Sequence, residues 1–227
     1  LPVTAVAAII QHNTSGIISL KDSGITSPKE MEGHSYATWD MPIEQAIIKK
    51  VVTDDGGDYS KINLISTSVE DIKAALSSNI DSVWIYYAWD GIACELQGLD
   101  TNFFYFKDYS PELDDYSPVI IANNDFLKNN SEVAKKFMAA LSKGYDYAIE
   151  NPDDAAQILV DANEGLDIEL CKKSQNWLAS QYKADADKWG VIDQKRWDAF
   201  YGWVYDNGLC EIDIPDGFGF SNDYLPE

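Results

Sequence analysis

The opening of the chain constrains its fold more than any other feature. Val3–Ile10 reads VTAVAAII, an apolar run broken only by Thr4 and rich in β-branched residues. Strands that are half-buried alternate polar and apolar positions; an unbroken run of this length belongs to a strand covered on both faces. Such a strand needs neighbours on either side, and no residues precede it to supply them. Later segments must provide them, or the first lobe is incomplete. Pro118–Asn123, with Val119, Ile120, Ile121 and Ala122, is expected to be a further buried strand. Between these runs the pattern switches repeatedly between periods of two and 3.6. Short strands are expected at Ile17–Leu20, His34–Trp39, Ile62–Ser66, Ser82–Tyr87 and Asn102–Phe106. Helices are expected from Ser27-Pro28, from Pro42, around Val69–Leu76 and near Trp89. This alternation predicts a mostly parallel sheet with helices on its faces. After Asn123 the pattern is helical throughout. Ser131–Glu150 carries a stripe of Val133, Phe137, Leu141, Tyr145 and Ala148, and Asp167 and Asp193 are placed to cap two later helices.

These elements give an α/β chain of two lobes. Lobe one is expected to comprise residues 1–25 and 118–227, with helices toward the C-terminus. Lobe two takes residues 26–117. Two crossings, each at the end of an apolar strand, describe a hinge and a cleft.

Charge narrows the partners. Seventeen basic residues face 38 acidic ones, a net charge of −21, which disfavours nucleic acid and anionic lipid headgroups. Arg196 is the single arginine, a poor endowment for bidentate capture of sulfonate or phosphate. Cys94, Cys171 and Cys210 and the two histidines, His12 and His34, have no metal-ligand spacing, and no catalytic, metal or cofactor motif is present. Asp54-Asp55 and Asp114-Asp115 are expected in solvated loops. No catalytic residue and no cofactor are expected.

The dense chemical signal is Trp84-Ile85-Tyr86-Tyr87-Ala88-Trp89-Asp90. Trp84 and Tyr86 share one face of a strand, and its C-terminal end in an α/β sheet points into the crevice where ligands bind. Asp90 lies four residues beyond Tyr86, across the turn into a helix. An acid beside an aromatic wall suits a flat heterocycle whose amino group neighbours a ring nitrogen. Trp39 is delivered to the same edge, and the helix beginning at Pro42 offers N–H groups to a polar ligand, with Asp40 its candidate N-cap. Thr14, Ser15 and Gly16 offer backbone and hydroxyl groups from a third direction.

Four strings resemble a known family: Gly33–Glu44 (GHSYATWDMPIE), Ser82–Ile92 (SVWIYYAWDGI), Pro118–Phe126 (PVIIANNDF) and Asp216–Leu225 (DGFGFSNDYL). Together they are similar to the thiamine-precursor branch of type II solute-binding proteins, which deliver aminopyrimidines to ABC importers. The resemblance implies a type II periplasmic-binding-protein-like fold, an aminopyrimidine ligand of hydroxymethyl or formylamino type, ABC permease partners and an extracytoplasmic location. It matches Tyr86 and Asp90 to the family's pyrimidine-reading tyrosine and acid, Trp39 and Asn13–Gly16 to cleft-lining positions, and Asn123 to a hinge position. The family often has Glu where this chain has Asp90, one methylene shorter. It also implies a preceding lobe-one segment of about 80 residues, with any lipid anchor outside this chain. Two alternatives share the scaffold: a taurine, sulfonate or nitrate receptor, and a pyrimidine synthase that consumes its own histidine. A third is a chain that serves only as a protein-interaction remnant.

Overall fold

A computed structural model describes residues 1–227, which pack as two compact units. The first unit holds residues 1–13, 115–202 and 213–227, and the second holds residues 14–114 with 203–212. Seven strands occur in chain order: β1 (Val3–Ala8), β2 (Ser15–Leu20), β3 (Ser35–Thr38), β4 (Asn63–Ser66), β5 (Ser82–Tyr86), β6 (Thr101–Tyr105) and β7 (Val119–Asn123). The α-helices are α1 (Pro42–Asp54), α2 (Ile72–Leu76), α3 (Ile92–Leu96), α4 (Asn124–Asn129), α5 (Ser131–Glu150), α6 (Pro152–Ala162), α7 (Ile168–Ala179) and α8 (Gln194–Asp206). No helix is long and apolar enough to cross a membrane.

The second unit is built on a five-stranded sheet of order β4-β3-β5-β2-β6. β3 is parallel to β4 and β5, while β2 runs antiparallel to both β5 and β6. The strand pairing therefore places Ser15–Leu20 near the middle of this sheet, so the chain changes unit at residues 13/14 and not near 25. On one face Ile18, Ala37, Val83 and Ile85 pack with Leu76, Ile80 and Cys94. The alternate residues Ile17, Tyr36 and Phe104 point the other way and are buried too. A strand covered on both faces reads as a continuous apolar run, which is what β2 and β5 show. At Gly16 a Cβ would stand 2.0 Å from the Phe104 carbonyl oxygen, so the β2–β6 approach requires glycine.

The Ser27-Pro28 start makes only a short 3₁₀ turn, Pro28–Met31. Glu30 reaches back to the Thr26 N–H and hydroxyl, whereas the Ser27 hydroxyl is spent on Asp55 at 2.7 Å. The left-handed Gly33 follows and turns the chain into β3. Asp54 and Asp55 are likewise not free loop carboxylates. Asp54 accepts from Lys50 at 2.7 Å and from the buried Ser110 hydroxyl at 2.6 Å, and Lys50 also pairs with Glu112 at 2.7 Å. Burial opposes both charges, but these partners prevail: the Asp54 carboxyl is held below its ordinary range and the Lys50 ammonium above.

In the first unit β1 pairs antiparallel with β7. The other side of β1 receives single bridges from Gly190 and Phe220. Val6, Ala7 and Ile10 pack with Leu127, Ala134, Met138, Tyr182 and Trp189. Trp189 stacks on Tyr145 at 4.2 Å and donates its indole N–H to the Ile9 carbonyl at 3.0 Å. Asp167 and Asp193 cap the helices assigned to them, accepting from the Leu170 and Arg196 amides. Asn123 caps α4 through the Phe126 amide at 3.1 Å. The stripe expected on α5 holds in its second half, where Leu141 and Tyr145 pack against the core, and shifts by one residue in its first half. Ala134 and Met138 face the core, while Val133 and Phe137 are 56% and 60% exposed. The small Ala134 lets α5 approach the strand layer closely, which the bulkier Val133 and Phe137 would prevent. Both faces of β7 also border apolar recesses. One, of about 220 Å³, is lined by Val119, Ile121, Trp197 and Phe218; the other, of about 260 Å³, by Ile120, Ala122, Phe126 and Phe137.

Candidate functional site

The parallel strands of the second unit all end at one edge of the sheet, and there the chain concentrates aromatic residues. Trp39 follows β3, Tyr86 ends β5 and Phe106 follows β6. Ser15, which opens the antiparallel β2, lies opposite Tyr86 in the ladder. Trp84 packs between the neighbours, 5.4 Å from Trp39 and 4.5 Å from Phe106. Tyr86, two residues on, shares its face. Trp39 and Tyr86 remain 44% and 43% exposed, although large aromatics usually bury. The Trp84 indole nitrogen is buried without a hydrogen-bond partner.

β5 leads directly into a single π-helical turn, Tyr87–Gly91, before α3 begins. The wider turn is closely filled, since a Cβ on Gly91 would come 2.6 Å from the Tyr87 ring. Tyr87 turns to the opposite face, against Phe103 at 5.0 Å, and donates its hydroxyl proton to Glu95. Its amide donates to the Thr14 carbonyl at 3.0 Å, tying the turn to the start of β2. Asp90 sits within this turn. Burial pushes its carboxyl above the ordinary range, and the Tyr86 backbone amide offsets part of that rise. The same environment, burial first and the Asp90 charge second, lifts the Cys94 thiol to about 11.

The structure thus gathers Trp39, Tyr86, Asp90 and Ser15 at one end of the five-stranded sheet. Thr14 and Gly16 are beside them, but their backbones serve the sheet: the Thr14 carbonyl is taken by Tyr87, and Gly16 is required by the close approach of Phe104. Asn13 belongs to the first unit, where its amide donates to Asp115 at 2.6 Å.

The start of α1 differs from the sequence expectation. Asp40 is not the N-cap: it adopts a left-handed conformation with φ of 59°, and Met41 occupies the cap position. The amides just before α1 are taken from within the chain. Glu44, in the first turn, folds back and accepts from the Trp39 amide at 3.0 Å and the Met41 amide at 3.4 Å. Glu44 is the site-bordering residue that sequence reasoning missed. Its signal was present in Met41-Pro42-Ile43-Glu44, where Pro opens a helix and an acid follows at the third helical position.

The family profile described as NMT1/THI5 like matches residues 1–155. A formylaminopyrimidine-binding protein of Halalkalibacterium halodurans is 27% identical over 210 residues, 90% of this chain and 63% of that protein. The 4-amino-5-hydroxymethyl-2-methylpyrimidine phosphate synthase THI5 of Saccharomyces cerevisiae is 23% identical over 188 residues, covering 76% and 53% of the two chains. The chain therefore spans between about half and under two thirds of the length of these relatives. Among solved structures, the periplasmic aliphatic sulphonate binding protein SsuA from Escherichia coli aligns with a TM-score of 0.70 at 14% identity. That alignment covers 92% of this chain and 65% of SsuA, and at this identity it speaks for the fold alone. The α/β fold of this chain is shared with SsuA over that alignment. By the match over residues 1–155, this chain belongs to the NMT1/THI5 like family.

Proposed function

We propose that this chain comes from the extracytoplasmic solute-binding component of an ABC importer and binds an aminopyrimidine precursor of thiamine, of hydroxymethyl or formylamino type. One observation carries the reading: a desolvated carboxyl, Asp90, stands one turn beyond the exposed Tyr86 and Trp39 at the strand ends. A 4-aminopyrimidine presents an N–H donor beside a ring nitrogen, and a single carboxyl can meet both. Its second oxygen accepts from the amino group while the proton is shared with the ring nitrogen. A carboxyl already inclined to hold its proton suits that sharing. The aromatic side chains offer the ring a flat apolar face. The formylaminopyrimidine-binding relative supports the ligand class and, with it, permease partners and an extracytoplasmic location.

The sulfonate alternative finds less support in the residues. Arg196, the single arginine, lies over the Tyr116 ring at 5.1 Å and donates to the Gln11 carbonyl. Calorimetric titration with hydroxymethylpyrimidine, its formylaminomethyl analogue and taurine tests the assignment. Pyrimidine binding that falls by about tenfold or more in Asp90→Ala is expected. Taurine binding, or pyrimidine binding indifferent to Asp90, would sink it.

A further inference from the structure

Glu44 is a carboxylate with 1% of its surface exposed and no cation paired to it. Burying an unpaired carboxylate costs several kcal/mol unless its lone pairs are filled, so the arrangement around it must supply donors. It does. One oxygen accepts from the Tyr36 hydroxyl at 2.6 Å and the Trp39 amide at 3.2 Å. The other accepts from the Thr38 hydroxyl at 3.0 Å, the Trp39 amide at 3.0 Å and the Met41 amide at 3.4 Å. The Thr38 oxygen in turn accepts from the Asp40 amide at 3.0 Å. The three successive amides of Trp39, Asp40 and Met41 are thus anchored on one carboxylate, directly or through Thr38. A helix cap requires only the last of them. The bonds to Tyr36, Thr38 and Trp39 lie outside α1 and serve the segment before it. That segment carries an exposed indole on a backbone bent through the left-handed Asp40, a conformation that non-glycine residues hold only when their surroundings impose it.

We infer that Glu44 is a positioning residue: it fixes the Trp39–Met41 backbone so that the Trp39 ring stands as a preformed wall of the ligand site. This rests on the reading of Trp39 as a site residue. A wall ordered in advance leaves less conformational entropy to lose on binding, so affinity depends on Glu44 although it touches no ligand.

The test pairs amide hydrogen exchange with titration. Glu44→Gln keeps the size but turns an NH₂ toward groups that are themselves donors. Exchange at residues 39–41 is expected to accelerate by about tenfold or more, while the β5 amides, residues 82–86, keep their protection. Affinity for hydroxymethylpyrimidine is expected to fall by about tenfold, and the double variant Glu44→Gln/Trp39→Ala is expected to bind no more weakly than Trp39→Ala alone, because Glu44 acts only through that ring. Unchanged exchange at 39–41 would overturn the inference. So would losses that add in the double variant, since Glu44 would then act on something other than Trp39. Should Glu44→Gln fail to fold, Tyr36→Phe removes one donor and leaves the carboxylate; faster exchange at 39–41 is again expected, and wild-type protection overturns the inference. If the unaltered protein takes up no aminopyrimidine, the ligand reading falls alone, and the exchange measurement still decides what holds Trp39.

Discussion

The two units expose apolar surface in different ways. In the second, the inner strands of a five-stranded sheet are largely buried, and the exposed aromatics Trp39, Tyr86 and Trp89 stand at or just beyond strand ends. In the first, a two-stranded ladder carries exposed apolar residues along its length and on the adjoining helices: Ile121 on β7, Phe126 on α4, Val133 and Phe137 on α5. Aromatics concentrated at strand ends near a partly buried acid fit the small-molecule site proposed above. Apolar residues spread beside two recesses flanking a strand leave a wide face without polar groups to orient a ligand. Exposure alone therefore does not locate function; the polar partner beside it does.

The contrast can be broken most sharply at Gly16. Any side chain there meets the Phe104 carbonyl, so Gly16→Val should cost the second unit about 3 kcal/mol or more. Urea unfolding followed by exchange should show the loss in the amides of β2, β5 and β6, with β1 and β7 retained. Equal loss in both ladders would mean that the two units do not unfold separately.

Within the first unit, α5 offers a paired comparison. Met138→Ala should cost about 2–4 kcal/mol as a buried truncation. Phe137→Ala, one residue earlier, should cost about 1 kcal/mol or less because its ring is mostly exposed. Equal melting shifts would show that the face bearing Phe137 is covered in solution.

Acid separates the units by a smaller margin. Asp54 and Asp81 of the second unit have carboxyls held below their ordinary values, so folding favours their charged forms. Their contribution is complete above the unfolded value of about 3.8 and is lost as pH falls through the lower folded values. Near-ultraviolet signals from Trp39 and Trp84 should therefore fade below that pH, and Asp54→Asn should abolish part of the dependence.

Asp90 runs in the opposite sense. Its raised carboxyl favours the neutral form in the fold, so its contribution is present below the unfolded value and lost as pH rises through the folded one. Asp90→Asn should therefore slightly raise the melting temperature at neutral pH while removing pyrimidine binding. A drop in melting temperature would indicate that Asp90 holds the π-helical turn together.

Much of this was legible in the chain. Strand positions followed from short apolar runs such as Ser82–Tyr87, and the Asp167 and Asp193 caps from their place before periodic segments. The placement of Trp39 and Tyr86 at strand ends, with Asp90 in the turn beyond, followed from the rule that parallel strands in an alternating pattern deliver their ends to one edge. What stayed hidden depended on long-range pairing. The inner position of β2 is set by register with β5 and β6, which no local pattern encodes. The burial of Ala134 and Met138 in place of Val133 and Phe137 was hidden because an apolar stripe wider than its contact leaves the chain two choices. The pairing of Asp54 needed Ser110, whose hydroxyl reaches it from a distant loop.

The place of β2 between β5 and β6 has a consequence for synthesis. A ribosome releases Ser15–Leu20 early, yet both of its ladder partners, Ser82–Tyr86 and Thr101–Tyr105, emerge much later. Until then Ile17 and Ile18 have no sheet to enter, and β3 and β4 lack the strand that would join them to it. The nascent chain must carry an unpaired apolar strand through most of the translation of its own unit, a period in which a holdase could occupy it. Pairing at such long sequence separation makes closure slow and sensitive to the order in which the strands arrive.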